Sequence, residues 1–345
     1  NLYDTAISSG FAPSRKEIKM AQAPRPYKRP KPTIPASKVE RRPVRWLWRE
    51  HIPWGMLSLV AGRPEKGKSL LAILIAAEVS QSYAVIISSH EDQKAETMKP
   101  RLEAAGANMK NIHFWRRGSG FSLPNDVRPL RDEIERLGVA LVIMDPVASH
   151  TRASIYNTTA IREALSPLFD MGEELDVAFF MIHHVIKNVD LKADPQAAIG
   201  GAGGGIGAMA RAAYLFGESP DDPDERLLVQ LKCNVAKKRV GLKFELDVED
   251  FEDGEEAPVL NYMGTHSYSP NKVFTAVPQM HEEKLENAAE WLVAQLREGP
   301  MSMKKILVIG NEAGFTRRSI KYVAEQLEVE VVKKKWRLSK EFPGV

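Results

Sequence analysis

The stretch Leu57–Ser80, LSLVAGRPEKGKSLLAILIAAEVS, decides how this chain is read. A short apolar run, a glycine-bounded loop and a longer apolar run follow one another, the pattern of a buried strand feeding a helix. The loop, Gly62-Arg63-Pro64-Glu65-Lys66-Gly67-Lys68-Ser69, has the spacing of a phosphate-binding loop. Glu65 and Lys66 stand where small residues are frequent. Such a loop binds its anion with backbone N–H groups and a helix N-terminus, so side chains between Gly62 and Gly67 can project away. Gly67 is expected to be glycine because the backbone approaches the phosphates too closely for a Cβ. Lys68 would reach the β- and γ-phosphates, and the Ser69 hydroxyl would ligate Mg²⁺. The expected ligands are ATP and Mg²⁺, held by Gly62, Arg63, Pro64, Glu65, Lys66, Gly67, Lys68, Ser69 and Leu70.

At 345 residues the chain has room for about two domains. A net charge of +3 excludes a strongly basic protein overall, yet residues 301–345 carry ten Lys or Arg against five Glu, whereas residues 245–256 are mostly acidic. The single cysteine, Cys233, rules out an internal disulfide and suits a reducing compartment. The apolar runs are too short to span a bilayer, and no signal peptide is visible. The expectation is a soluble cytoplasmic protein without a membrane partner. The chain opens on Asn1 rather than Met, which leaves room for sequence upstream.

Residues 1–45 are rich in Pro, Lys and Arg and are read as a basic linker, either a plain tether or a nucleic-acid contact. Strands and helices then alternate over residues 46–265, pointing to an α/β domain with a mostly parallel sheet. The acidic stretch Val248–Ser269 reads as a domain edge and linker, residues 266–280 as the linker proper, and residues 281–345 as a separate small domain.

Two further strand ends carry chemistry. VALVIMD ends on Asp145, where P-loop NTPases place a magnesium-side acid. AVIISSHEDQ sets Glu91 and Asp92 beyond a strand, and Glu91 is the candidate general base for water. The strand AFFMIHH closes on His183 and His184, either a structural pair or, at His184, a γ-phosphate sensor. No cysteine or third histidine at ligand spacing supports zinc.

In this order the segments AGRPEKGKS, SSHEDQKAETMKPRLEAAGA, VIMDPVAS and IHHVIK resemble the RecA-like hexameric helicases, above all the RepA-like ATPases of plasmids and phages, with DnaB-type replicative helicases further off. The resemblance covers about residues 53–237. It implies a RecA-like P-loop fold, ATP hydrolysis with Mg²⁺ driving movement on or unwinding of single-stranded or branched DNA, and a homo-oligomeric ring, a hexamer. It also implies Glu91 as catalytic base, Ser69 and Asp145 on the magnesium, and His184 as sensor. GGGIGAMARAAYLF matches the segment with a finger arginine, here Arg211, acting in trans; Lys232 and Lys237 are rivals. The expected channel loops are residues 149–158 and 187–205, including Lys187. A RecA-like recombination or loader ATPase, or a regulatory DNA-binding protein that uses ATP as a switch, remain as alternatives.

Residues 299–339 look like a winged helix-turn-helix. Gly314 and Thr316 frame the start of the second helix, which carries Arg317, Arg318 and Lys321, while Ile320, Val323 and Leu327 face inward. Lys333, Lys334, Lys335 and Arg337 lie on the wing, where phosphate contacts are expected.

Overall fold

The computed structural model describes residues 33–116, 120–154, 157–185, 205–222, 224–275, 282–315, 317–332 and 334–338. Residues 1–43 and 44–345 form two compact units. In the first, residues 33–43 hold one 3-10 turn, Ala36–Lys38, without a buried residue. The two large apolar side chains of this stretch, Ile34 and Val39, are exposed.

The second unit opens with the small ladder of β1 (Trp46–Trp48) and β2 (Ile52–Pro53), then enters the main sheet at β3 (Leu57–Gly62). Helix α1 (Lys68–Ser80) leads to β4 (Ala84–Ser89), and a π-helical turn with α2 (Lys99–Ala104) leads to β5 (Ile112–Phe114). Next come α3 (Val127–Leu137), β6 (Val139–Asp145), α4 (Thr158–Leu175), β7 (Ala178–His184), α5 (Gly205–Met209) and β8 (Ala212–Glu218). Strands β9 (Glu225–Cys233), β10 (Gly241–Asp250) and β11 (Glu256–His266) complete the sheet, and α6 (Pro270–Thr275) follows.

The sheet has nine strands in the order β5-β4-β6-β7-β3-β8-β9-β10-β11. From β5 to β8 each pairing is parallel; β9, β10 and β11 are added antiparallel. The mostly parallel α/β core expected from alternating apolar runs is therefore present. Strand periodicity divides its residues between two layers. Leu57, Leu59, Ala61, Phe179 and Met181 pack with α3 and α4, whereas Val60, Phe180 and Ile182 pack under α1 and α2. Helix α1 is apolar around most of its circumference and buries Leu70, Leu71, Ile73, Leu74, Ile75 and Val79. Each such side chain contributes about 1.5–3 kcal/mol relative to exposure, which holds the helix start, and thus the loop before it, against the sheet.

Most of the acidic stretch read as a linker is instead part of a long antiparallel hairpin over residues 241–266, from Gly241↔His266 to Asp250↔Glu256. Its acidic residues concentrate at the exposed hairpin end, while Phe244 and Leu260 are buried. Acid-rich composition hid the period-2 apolar positions.

The C-terminal residues have their own core of Ala288, Leu292, Leu296, Ile306, Ile320, Val323, Trp336 and Leu338. Its elements are α7 (Glu282–Arg297), β12 (Met301–Ser302), α8 (Met303–Glu312), α9 (Arg317–Gln326), β13 (Glu330–Val332) and β14 (Lys335–Arg337), with a sheet ordered β12-β14-β13. The Ser302 hydroxyl caps α8 by accepting from Lys305 N–H, and Gly314 takes φ +86° after it. A Cβ on Gly310 would stand 2.3 Å from Ile320 Cδ1, so glycine there permits the close packing of α8 and α9.

Candidate active site

Parallel pairing brings the functional strand ends to one edge of the sheet. Gly62 is level with His184, and Ser89 with Asp145. The loop after β3, the acids after β4, Asp145 at the end of β6 and His184 at the end of β7 therefore converge. This is the edge where open α/β sheets take their ligands.

The loop backbone is held by two glycines for different reasons. A Cβ on Gly62 would lie 2.2 Å from the Phe216 carbonyl oxygen on β8, so the strand itself forbids a side chain. At Gly67 an added Cβ would meet only ordinary contacts, 3.7 Å from Phe216 and 3.9 Å from Leu70. What glycine supplies there is φ +86°, turning the chain into α1. The steric limit expected at Gly67 concerns a bound phosphate; against the protein's own atoms the requirement for glycine is conformational. Glu65 also takes a left-handed φ, 61°, and is exposed, so its carboxylate points away from the loop interior. Lys66 turns to the side as well, pairing with Glu218 at the end of β8 at 2.9 Å.

Lys68 is buried, and its ammonium donates to the Arg63 carbonyl at 2.7 Å. Desolvation lowers its pKa to about 8, opposed by Asp145 and Glu91. Asp145 is also buried. Its pKa is pushed up to about 6, chiefly by desolvation; a hydrogen bond from Ser69 works the other way, while Glu91 and Asp92 raise it further. One of its oxygens, Oδ1, is buried without a hydrogen-bond partner. That orphaned oxygen beside the Ser69 hydroxyl fits a magnesium ion, a hard cation that takes one or two protein oxygens and leaves its other positions to phosphate and water. Among the described residues no cluster of three or more His, Cys, Asp or Glu is arranged to hold a metal on its own.

Glu91 is held over this edge by a turn in which the Ser89 hydroxyl accepts from Glu91 N–H at 3.3 Å and Asp92 N–H at 3.1 Å. Asp92 pairs with Arg101 at 3.3 Å, leaving Glu91 the exposed acid. Its Oε1 is 3.6 Å from His184 Nε2. The two histidines separate in role. His183 is buried and its pKa falls to about 4, from desolvation first and then from His184 and Lys68. His184 is half-exposed; desolvation and Lys68 lower its pKa, so it is a neutral imidazole beside Lys68 and Glu91.

Arg211 lies at the other edge. Its N–H donates to the Leu57 carbonyl at 2.8 Å, at the start of β3 rather than its end. The length of β3, about 17–20 Å, separates it from the loop of its own chain. Its side chain is exposed, as is that of Lys237. Lys232 is engaged within the chain: its ammonium donates to the carbonyls of Gly207 and Ala208 at 3.1 Å each and caps α5.

Of the expected nucleic-acid residues, Lys187 and Lys333 lie outside the described residues, as does the loop 187–204. Arg317 and Arg318 fall in the first turn of α9; Lys321 is half-buried there, and Lys334 and Lys335 are exposed. Sequence reading missed Glu218, whose partner Lys66 lies 152 residues away and which no local motif signals.

Residues 23–190 match the family model described as AAA domain, a stretch that includes the loop, Glu91, Asp145 and His184 but not Arg211. The DNA repair protein RadA of Streptococcus pneumoniae is 24% identical over 245 residues, 71% of this chain and 50% of that protein. RadA of Mycobacterium tuberculosis is 26% identical over 140 residues, 39% of this chain and 28% of that protein. The chain spans about half the length, or less, of these curated relatives. Among solved structures, a DnaB-like replicative helicase aligns with a TM-score of 0.45 at 15% identity, over 56% of this chain and 57% of that one. A KaiC-like protein from Pyrococcus horikoshii aligns with a TM-score of 0.45 at 14% identity, over 64% of this chain and all of that one. The stretch similar to the AAA domain model thus carries the phosphate-binding loop and the parallel strands around it.

Proposed function

We propose that the chain is a Mg²⁺-dependent ATPase that works on single-stranded or branched DNA as a ring, a helicase or translocase of replication or recombination. The observation that carries the ATPase part is the convergence of Lys68, Ser69, Asp145, Glu91 and His184 on one sheet edge. The loop and the N-terminus of α1 receive the triphosphate, with the Lys68 ammonium swinging from the Arg63 carbonyl to the phosphates. When bound, magnesium neutralises phosphate charge beside Ser69 and Asp145. Glu91 accepts a proton from the attacking water, and neutral His184 donates a hydrogen bond towards the γ-phosphate. Arg211, remote from its own loop and exposed, reaches the site of a neighbouring copy and stabilises charge in the transition state.

The DNA part is supported by the RadA relatives, which are named DNA repair proteins, and by the C-terminal module. Its α7-β12-α8-α9-β13-β14 order suits a winged helix, with Arg317, Arg318 and Lys321 on the recognition helix and Lys334 and Lys335 on the wing. The RadA names favour a recombination ATPase without processive unwinding as the second reading, which a strand-displacement assay separates from the first. The test is retention of labelled single-stranded DNA with and without ATP. Glu91→Gln should bind ATP without turning it over and retain DNA longest; Lys68→Ala should lose the ATP dependence. Retention indifferent to ATP in all three proteins would remove DNA as the substrate of this site.

A further inference from the structure

His150 is fully buried, lies outside the nucleotide site and touches the segments that carry two of its acids. It ends the 3-10 turn Val147–His150 that starts two residues after Asp145. Its Nδ1 is 2.9 Å from the Pro146 carbonyl and its Nε2 is 2.8 Å from the Ser88 hydroxyl. A carbonyl can only accept, so Nδ1 carries the proton and donates to it. Nε2 is then the acceptor for the Ser88 O–H. Ser88 is on β4, whose continuation carries Glu91; Pro146 follows Asp145 on β6. The imidazole is thus a two-pointed staple between the strands that end in the two acids.

Its other faces reach further. The His90 ring stands edge-on to it at 4.6 Å, and His90 N–H donates to the Asp145 carbonyl at 3.0 Å. Phe121 packs on it, also at 4.6 Å, and Leu123 N–H donates to its carbonyl at 2.7 Å. Beyond it the chain turns outward to Thr151 and the exposed Arg152, within the loop proposed to meet nucleic acid. A rigid ring between a loop and two strand ends transmits a loop displacement, since packed interiors do not deform continuously.

We infer that His150 is a positioning residue that ties the loop carrying Arg152 to the strand ends carrying Glu91 and Asp145, so that single-stranded DNA on that loop sets the rate of hydrolysis. This rests on the function proposed above. Arg152 meets a backbone phosphate, the turn shifts, and the staple moves Glu91 relative to the γ-phosphate.

The test is the ratio of ATP hydrolysis with and without an oligothymidine strand, in the full chain, for wild type, His150→Asn, Ser88→Ala, the double variant and Arg152→Ala. Asn keeps a donor for the Pro146 carbonyl but cannot reach Ser88. Both single staple variants should lower the ratio by at least about twofold, towards no stimulation, and the double variant no further than the larger single effect. Fluorescent-nucleotide affinity should stay within about twofold, whereas a merely structural role would lower the melting temperature and leave the ratio alone. If His150→Asn does not fold, Ser88→Ala, which removes one hydroxyl, decides. A stimulated wild type with an unchanged ratio in Ser88→Ala overturns this inference alone. A wild type that DNA does not stimulate overturns the proposed function and this inference with it.

Discussion

Glu91 Oε1 stands 3.6 Å from His184 Nε2, joining the ends of β4 and β7 across the strand between them. The pair sets a carboxylate that can take a proton beside an imidazole that can donate one, with Lys68 close enough to act on both. Glu91→Gln keeps the shape and removes the base. Its kcat should fall about 10²- to 10⁴-fold while ATP binding persists, as read by fluorescent-nucleotide titration alongside phosphate release.

Lys68 should make nucleotide affinity pH-dependent. Burial lowers its pKa to about 8, so it loses its proton as pH rises through that value. Phosphate binds the charged form. The dissociation constant for ATP should therefore rise about tenfold between about pH 7 and pH 9, and Lys68→Ala should abolish the slope.

Burial of the Asp145 carboxyl acts against stability once the group is charged. Its folded pKa of about 6 lies above the ordinary 3.8. The stabilising contribution of such a group is present below pH 3.8 and is lost as pH rises through about 6. At pH values above 7 the carboxylate is a buried charge that desolvation disfavours. Asp145→Asn relieves it and removes a Coulomb partner from Lys68, leaving a net gain of about 1 kcal/mol and about 2–4 °C in melting temperature, with hydrolysis lost. A lower melting temperature would mean that the carboxylate stabilises the apoprotein.

The Lys66–Glu218 pair fastens the middle of the P-loop to β8, with Arg226 also 3.7 Å from Glu218. Glu218→Gln should weaken ATP binding about two- to fivefold without a change in kcat, measured by equilibrium titration and steady-state kinetics. A change in kcat alone would place Glu218 in the chemistry instead.

The P-loop and the strands around it were legible because their determinants are local: a left-handed turn at Gly67, a lysine and serine at a helix start, and apolar runs such as VALVIMD. Arg211 drew attention only through a motif resemblance; its place at the start of β3, opposite its own loop, came from the folded sheet alone. The hairpin of β10 and β11 was missed because its acidic tip outweighed the alternation of Phe244, Leu246 and Leu260 in composition. Glu218 and His150 were invisible for another reason. Their partners, Lys66 and Ser88, lie 152 and 62 residues away, and only the folded sheet brings them within reach.

The central claim is that this one site turns over ATP in response to DNA. Steady-state phosphate release with Mg²⁺, with and without single-stranded DNA, tests it most directly. The rate should rise severalfold with DNA and disappear in Lys68→Ala. A rate that DNA leaves unchanged, or that persists in Lys68→Ala, would contradict it.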